Sequence, residues 1–329
     1  MGKIYKSIAE LVGNTPLVEL TNYEKEHDLK ANIYGKLEYF NPSGSIKDRA
    51  ALNMILKAER EGKIKPGDTI VENTSGNTGI GLAAFAAARG YKLKLILEPG
   101  QSIERQQIFK AYGVDVKIYT DFPEFNEAMA NGTFNLPFFY DMLQRYADTE
   151  PNHYFINQLA NEANPDAHYT TTGPEIWNDT DGKVDILVGL CGTGGTIYGT
   201  GKYLKEKNPD LKIYVAQPSA DSVKTPDNPN ANTIDGVVFF KDAPKDAKTE
   251  FVSSIPYEEC FEIPADDAYA TGRQLLRSDG IFLGQSAAAA LNAATILAKR
   301  PENAGKNIVV MMADNGYKYL STNMYKAED

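Results

Sequence analysis

One lysine and two glycine-containing segments supply the groups that a phosphorylated aldehyde would need from a protein. Lys47 carries an amine, which can form an imine with a carbonyl group. Residues 74–79 (TSGNTG) offer hydroxyls, an amide and backbone donors for a carboxylate, and residues 192–196 (GTGGT) can form a phosphate-binding turn. Together, these three parts match what pyridoxal phosphate (PLP) chemistry requires from a protein.

Each of these features has an ordinary alternative when it stands alone. Most lysines are exposed surface residues. Residues 74–79 could be a helix-capping turn, and residues 192–196 could be a tight strand-to-helix turn. Nucleotide motifs fit the second segment less well, because Ile197 stands where a dinucleotide fingerprint requires glycine and no lysine follows as in a Walker motif. The combination of all three features in one chain favours the cofactor site.

Short β-rich runs alternate with longer helical ones, which predicts parallel strands joined by crossover helices. In each of two expected βαβ units, a glycine-containing segment follows the first strand, which is the edge where open α/β sheets bind ligands. Lys47 lies near the start of another helix. The predicted elements are strand 69–71, helix 80–89 and strand 93–97, then strand 184–188, a helix toward 207 and strand 212–216, and finally strand 308–312.

The length of 329 residues fits two domains. We place an amino-terminal α/β domain with the lysine and the substrate loop at residues 1–157, whose first strands can cross over to the other domain. A carboxy-terminal α/β domain with the phosphate loop is placed at residues 158–329. The stretch 121–152 is rich in Phe, Tyr, Asn and Pro, and it interrupts the regular alternation. We expect it to link or flank the two halves.

The composition excludes several classes of protein. With 42% hydrophobic and 24% charged residues the chain is typical of a globular protein. A net charge of −10 argues against nucleic acid or an anionic membrane surface as the main partner. Cys191 and Cys260 make no disulfide framework, and three separated histidines offer no catalytic zinc site. Without an apolar signal segment or a membrane-length run, the expected location is the cytoplasm.

Motifs from both ends of the chain match a known enzyme group. They are residues 12–18 (VGNTPLV), residues 41–49 (NPSGSIKDR) and residues 314–322 (DNGYKYLST). The chain resembles the fold type II PLP enzymes, specifically the cysteine synthase (O-acetylserine sulfhydrylase) and cystathionine β-synthase group. This resemblance implies a tryptophan synthase β-subunit-like fold, with two three-layer α/β/α domains, mostly parallel twisted sheets and an active site in the cleft between them. It also implies a homodimer.

The resemblance assigns roles to individual residues. Lys47 would hold PLP as an imine and transfer the α-proton, Asn77 would bind the ring oxygen, and Ser286 would meet the pyridine nitrogen as a neutral partner. The implied cofactor-binding residues are Lys47, Asn77, Gly192, Thr193, Gly194, Gly195, Thr196, Ser286 and Asp314. The implied binding residues for a small α-amino acid substrate are Thr74, Ser75, Gly76, Asn77, Thr78, Gln158 and Gly236.

Three departures from the family pattern bear on the reaction. Asn73 replaces the usual proline before the substrate loop, and residues 287–288 (AA) replace a Ser-Gly or Ala-Gly pair. Residues 234–238 (IDGVV) replace a run in which a second glycine stands at position 238. Asp235 thereby places a carboxylate where sulfhydrylases have an amide and cystathionine synthases have a glutamate.

We hypothesise that Asp235 is a catalytic acid/base beside Lys47 and Ser286. The group performs β-replacement through an α-aminoacrylate intermediate, and an acid/base would let unactivated L-cysteine or L-serine react with water or sulfide. L-cysteine and water would give L-serine and hydrogen sulfide, or the reverse. One alternative is an ordinary cysteine synthase that uses O-acetylserine, with Asp235 solvated. A second is a diaminopropionate-type synthase with an amine nucleophile, because residues 156–162 (INQLANE) also resemble that branch. A third is a non-catalytic partner protein of the same fold.

Overall fold

The computed structural model describes residues 4–98, 103–241, 243–244 and 248–326. Residues 1–3, part of the segment in which an amino-terminal signal would lie, are outside these ranges. The strands are β1 (Leu17–Glu19), β2 (Asn32–Leu37), β3 (Thr69–Glu72), β4 (Lys92–Leu97), β5 (Asp115–Ile118), β6 (His153–Phe155), β7 (Ile186–Leu190), β8 (Lys212–Pro218), β9 (Glu259–Ile263) and β10 (Asn307–Met312).

Helices alternate with these strands over most of the described chain. They are α1 (Thr21–Glu26), α2 (Lys47–Arg60), α3 (Asn77–Arg89), α4 (Ile103–Ala111), α5 (Pro123–Asn131), α6 (Leu136–Thr149), α7 (Ala163–Ala167), α8 (Gly173–Asp179), α9 (Gly195–Lys207), α10 (Glu250–Ser253), α11 (Ala265–Asp279) and α12 (Gln285–Ala298). None of the helices in the described ranges is long and apolar enough to cross a membrane.

The strands form two sheets. The larger sheet has the order β1-β2-β10-β7-β8-β9, and all of its neighbours are parallel except the antiparallel pair β1 and β2. The smaller sheet has the order β5-β4-β3-β6 and is parallel throughout. Both predicted βαβ units are present, as β3-α3-β4 and β7-α9-β8. The chain crosses to the smaller sheet after β2 and returns to the larger one after β6.

Alternating side chains of the strands pack on opposite faces of each sheet. In β7, Ile186 and Val188 join one hydrophobic cluster and Leu187 joins another on the opposite face. In the smaller sheet, Ile70 of β3 packs with α2 and α3, whereas Val71 packs with α6. Helices therefore cover both faces of each sheet, which confirms the prediction of three-layer α/β/α units with mostly parallel strands. The boundary near residue 157 stays a prediction.

The stretch 121–152 belongs to the cover of the smaller sheet. It contains α5 and α6, and the apolar face of α6 packs against β3, β4 and β6 through Phe139, Met142 and Leu143. The helix begins where the Asn135 side chain accepts a hydrogen bond of 2.9 Å from the Phe138 backbone. This stretch therefore flanks one half of the molecule with regular helices.

Candidate active site

A cavity of about 340 Å³ lies between the two sheets, at the carboxyl ends of β3 and β7. Residues from both sheets line it, as ligand sites of open α/β sheets require. The structure therefore brings together most of the residues singled out from the sequence. The lining includes Lys47, Thr74, Ser75, Gly76, Asn77, Thr78, Gln158, Gly192, Thr193, Asp235, Gly236 and Ser286. Four predicted residues are not part of the lining: Gly194, Gly195 and Thr196 follow Thr193 in the same turn, and Asp314 contacts Asn77 at 2.7 Å.

Lys47 is the first residue of α2, and its side chain enters the cavity. Its backbone N–H donates to the Ser45 hydroxyl at 3.2 Å, which satisfies one of the free donors of the helix start. Burial lowers the pKa of the Lys47 amine, although the nearby Asp314 and Cys191 oppose that shift. A larger fraction of the amine is therefore neutral than in a solvated lysine, as imine formation and proton abstraction require.

A buried ion-pair network fixes the first turn of α2. The Arg49 guanidinium, which is 1% exposed, donates two bonds of 2.8 Å to Glu38 and two bonds of 2.7 Å to Glu175. The bidentate geometry on both carboxylates offsets the desolvation of these charges. Glu38 follows β2 and Glu175 lies on α8, so the network ties the lysine-bearing helix to the larger sheet and its cover.

A buried carboxyl group that was not predicted from the sequence holds the backbone at the start of the substrate loop. Glu72, at the end of β3, is fully buried and accepts the backbone N–H groups of Asn73 at 2.7 Å and Gln158 at 2.8 Å. Burial raises its pKa to about 8, because neither of these donors is a cation. The Gln158 side chain in turn accepts a bond of 2.7 Å from the Thr78 hydroxyl. Glu72 thus joins the two elements expected to hold a substrate carboxylate.

Two charged residues fix the orientation of the Asn77 amide. Its oxygen accepts a bond of 2.8 Å from Lys318, and its nitrogen donates a bond of 2.7 Å to Asp314. The Tyr319 hydroxyl donates to the same Asp314 oxygen at 2.7 Å. Asp314 therefore lies one layer behind the lining and positions Asn77. One N–H of the amide remains for an acceptor in the cavity, such as the ring oxygen of the expected cofactor.

The turn between β7 and α9 is a tightly packed cradle. Gly194 has a φ of +85°, which favours glycine. A Cβ at Gly192 would lie 2.7 Å from the Gly236 carbonyl oxygen, and a Cβ at Gly195 would overlap the Asn164 amide. These contacts leave no room for a side chain at either glycine. The first backbone N–H groups of α9 have no partner within the helix and are free to bind an anion. The cradle fits a phosphate group, in agreement with the monophosphate expected from the sequence.

His168 supports the same turn from a π-helical segment, His168–Thr172. The residue is fully buried, and its Nε2 lies 3.2 Å from the Thr196 hydroxyl while its Nδ1 lies 2.9 Å from the Thr172 hydroxyl. Burial, with a contribution from the cation of Arg49, lowers the pKa of His168 well below its usual value. The imidazole is thus neutral at neutral pH, and it can donate from only one of its two nitrogens.

Asp235 is held beside Ser286 through a glutamine. Its backbone N–H donates to Gln285 at 2.9 Å, and Gln285 precedes Ser286 at the start of α12. The Asp235 carboxylate accepts a bond of 3.0 Å from Thr233 and lies 3.5 Å from the Arg105 guanidinium. Its side chain is 34% exposed, so the carboxylate is accessible from the cavity. The geometry places an acid/base candidate in the same cavity as the Lys47 amine.

Several lining residues were not predicted as site residues from the sequence. They come from α4, from the loops after β4 and β5, from the segment before α10 and from the carboxy-terminal segment: Glu98, Arg105, Tyr119, Lys248 and Tyr319. They reach the cavity through tertiary packing between elements far apart in the chain. Only Tyr319 lies inside a segment, residues 314–322, that the sequence analysis had marked.

Comparison with known proteins shows the family of this chain. A family model described as pyridoxal-phosphate dependent enzyme matches residues 8–314. The chain belongs to this family. Its relatives include a probable cysteine synthase of Bacillus subtilis, which is 42% identical over 332 residues and covers 99% of each chain. The family assignment from the sequence and its PLP fold type II architecture are confirmed.

Two solved structures have a TM-score of 0.82 to this chain. One is a hydrogen sulfide-producing enzyme from Fusobacterium nucleatum, 36% identical and covering 97% of this chain and 99% of its own. The other is a cysteine synthase from Entamoeba histolytica, 34% identical and covering 99% of this chain and 92% of its own. The chain is therefore a PLP-dependent, cysteine synthase-like enzyme of β-replacement, and the non-catalytic alternative is set aside.

Proposed function

We propose that this enzyme acts on L-cysteine or L-serine, with hydrogen sulfide as the group that leaves or adds. In one direction L-cysteine and water give L-serine and hydrogen sulfide, and the reverse reaction gives L-cysteine. The carrying observation is that the Asp235 carboxylate and the Lys47 amine open into one cavity. The relative named as a hydrogen sulfide-producing enzyme supports the same chemistry.

The residues of the cavity fit the cofactor of this family. When bound, PLP supplies an electron sink that makes the α-proton of an amino acid acidic and lets its β-substituent leave. Lys47 would hold the cofactor through its amine, Asn77 and Ser286 would hold its ring, and the turn at residues 192–196 would hold its phosphate. Asp314 would act indirectly, because it contacts Asn77 at 2.7 Å.

Lys47 would also move the α-proton. A substrate amine that takes the place of the lysine leaves the Lys47 amine free, next to the α-carbon of the substrate. Because burial lowers the pKa of this amine, its neutral form is accessible as a base. The fixed start of α2 keeps the amine close enough to return the proton later.

Residues 74–78 and Gln158 would hold the carboxylate of the substrate. The loop precedes and enters α3, whose start presents free backbone N–H groups to an anion. Thr78 orients Gln158 through a bond of 2.7 Å, and Glu72 holds the backbone on both sides. An α-carboxylate bound here would leave the β-carbon of the amino acid in the same cavity that Asp235 lines.

Asp235 would serve the β-carbon. A thiolate or hydroxide leaves more readily when a nearby acid protonates it, and water adds more readily when a base takes its proton. Acetate needs little such help. The presence of a carboxylate at this point of the cavity therefore favours cysteine or serine, whose β-substituents are poor leaving groups.

Sulfide release from L-cysteine tests this assignment. We expect Asp235→Asn to slow it by about a hundredfold or more, since general acid/base groups contribute at this scale. The same variant should make L-cysteine from O-acetylserine and sulfide at nearly the wild-type rate, which is the internal control for folding and cofactor binding. Equal sulfide release by wild type and variant would refute the role of Asp235.

An ordinary cysteine synthase is the second candidate, and the names of the Bacillus subtilis and Entamoeba histolytica relatives favour it. In that case O-acetylserine and sulfide would be the preferred substrates, and Asp235→Asn would change neither reaction. Incubation with amine nucleophiles would separately reveal a diaminopropionate-type synthase.

A homodimer stays a prediction of the family, and sedimentation of the full-length protein would test it.

A further inference from the structure

A buried asparagine outside the expected site joins the substrate side of the cavity to the phosphate turn. Asn164, on α7, is 3% exposed. Its Nδ2 donates to the Gln158 carbonyl oxygen at 2.8 Å and to the Thr193 hydroxyl oxygen at 2.9 Å. One amide group therefore touches both elements.

The orientation of this amide follows from its first partner. A backbone carbonyl oxygen can only accept a hydrogen bond, so the NH2 end of Asn164 must face Gln158. The second N–H of the same nitrogen then points at Thr193, and it also donates. The Thr193 hydroxyl is thus an acceptor in this contact.

Thr193 receives a second bond from its own turn. The backbone N–H of Gly195 donates to the Thr193 hydroxyl oxygen at 3.3 Å. A hydroxyl has two lone pairs and one proton, so both acceptor positions of Thr193 are used inside the protein. The hydroxyl proton of Thr193 still requires an acceptor. Among the hydrogen bonds of the described residues, none is donated by this hydroxyl. Thr193 is 8% exposed and lines the cavity.

We propose that Asn164 is a positioning residue that turns the Thr193 hydroxyl proton toward the phosphate of the cofactor. This inference rests on the proposed placement of PLP in the turn at residues 192–196. A phosphate dianion offers only acceptors, so a hydroxyl that must donate is matched to it. Asn164 does not touch the phosphate itself. It occupies one of the two acceptor positions of the Thr193 hydroxyl, and the Gly195 N–H occupies the other.

The test compares PLP with pyridoxal, which lacks the phosphate. Both are titrated into the full-length protein after removal of its cofactor, for wild type and Asn164→Leu, which keeps the branching of the side chain and removes its hydrogen-bonding atoms. We expect the variant to bind PLP about tenfold more weakly, as for loss of one hydrogen bond to a charged group. Pyridoxal binding should change little by comparison, whereas the thermal unfolding midpoint should fall with or without either ligand, because the buried Gln158 carbonyl loses its hydrogen-bond donor.

Three further variants complete the design. Thr193→Val removes the hydroxyl and should weaken PLP binding as much as Asn164→Leu, whereas Thr193→Ser keeps the hydroxyl and should retain it. The double variant should be no weaker than Thr193→Val alone, because both changes remove one interaction. Asn161→Leu is the matched control, since Asn161 precedes α7 and donates to the Ile156 carbonyl at 2.9 Å. It should leave the ratio of the two affinities unchanged.

A merely structural role of Asn164 would weaken PLP and pyridoxal binding by the same factor, and that result would overturn the inference. An unchanged PLP affinity, or additive losses in the double variant, would overturn it as well. Wild-type protein that binds no PLP would instead refute the proposed function on which the inference rests.

Discussion

The two glycine-containing loops of the cavity follow strands of different sheets, and they differ in packing. In the turn at residues 192–196, a Cβ at Gly194 would lie 2.7 Å from the Val252 backbone nitrogen, and one at Gly192 would lie 2.7 Å from the Gly236 oxygen. In the loop at residues 74–78, a Cβ at Gly76 would meet no atom of the described chain within 4 Å. The phosphate turn is enclosed, whereas the substrate loop is open.

This difference corresponds to two tasks. A cofactor that stays bound through many turnovers is held best by a preorganised cradle. An amino acid that enters and leaves in each cycle needs a loop that can change when the carboxylate arrives. The same strand-turn-helix unit thus serves cofactor binding in one case and substrate binding in the other. The packing of the surrounding residues determines which of the two it performs.

Alanine substitutions of one glycine in each loop give the largest expected difference. Gly195→Ala would drive a methyl group into the Asn164 amide, and we expect about a hundredfold weaker PLP binding and a loss of about 1–3 kcal/mol of unfolding free energy. Gly76 has a φ of −107° and open space around it, so Gly76→Ala should change PLP affinity by less than about twofold. Cofactor titration and urea unfolding measure both. Equal losses of PLP affinity and stability in the two variants would contradict the distinction between an enclosed turn and an open loop.

The support under the open loop is sensitive to pH. Glu72 has a pKa near 8 in the folded chain, above the ordinary value for a glutamate, so the folded state holds its proton more tightly than the unfolded state. This stabilisation is fully present below about pH 4.5 and is lost as the pH rises toward about 8. Unfolding free energies of wild type should therefore fall over this range relative to those of Glu72→Gln. Parallel pH profiles would show that Glu72 does not carry the effect.

A smaller change should separate substrate binding from cofactor binding. Thr78→Val removes the bond of 2.7 Å to Gln158, and we expect KM for the amino acid to rise about fivefold, the scale of one hydrogen bond, with PLP affinity unchanged. Thr180→Val is the matched control, because the Thr180 hydroxyl bonds the Ile176 carbonyl at 2.8 Å on another helix. A drop in PLP affinity for Thr78→Val would contradict the division between the two loops.

Local patterns in the sequence were sufficient to predict the frame of the site. The strands and helices around residues 74–79 and 192–196 lie within about three residues of their predicted positions, because glycine turns and apolar runs are local features. Lys47 begins α2 as expected. Even the stretch 121–152, expected only to link or flank, has a readable pattern: the buried residues of α6 stand at 139, 142, 143 and 147, a helical spacing.

Contacts between distant elements could not be predicted in this way. Glu72 reads as an ordinary acid at the end of a strand, and its burial becomes visible only when β6 and residue 158 lie beside it. Arg105 is 130 positions before Asp235, and no pattern connects them. Asn164 likewise has no motif that indicates its contact with Thr193. These pairs arise from the packing of the two sheets around one cavity.

The most direct test of the proposed reaction is the product formed from L-cysteine alone in water enriched in the heavy oxygen isotope. We predict L-serine that carries one heavy oxygen in its hydroxyl group, formed in equal amount with hydrogen sulfide. Recovery of unreacted L-cysteine by an enzyme that still converts O-acetylserine and sulfide would contradict the proposal.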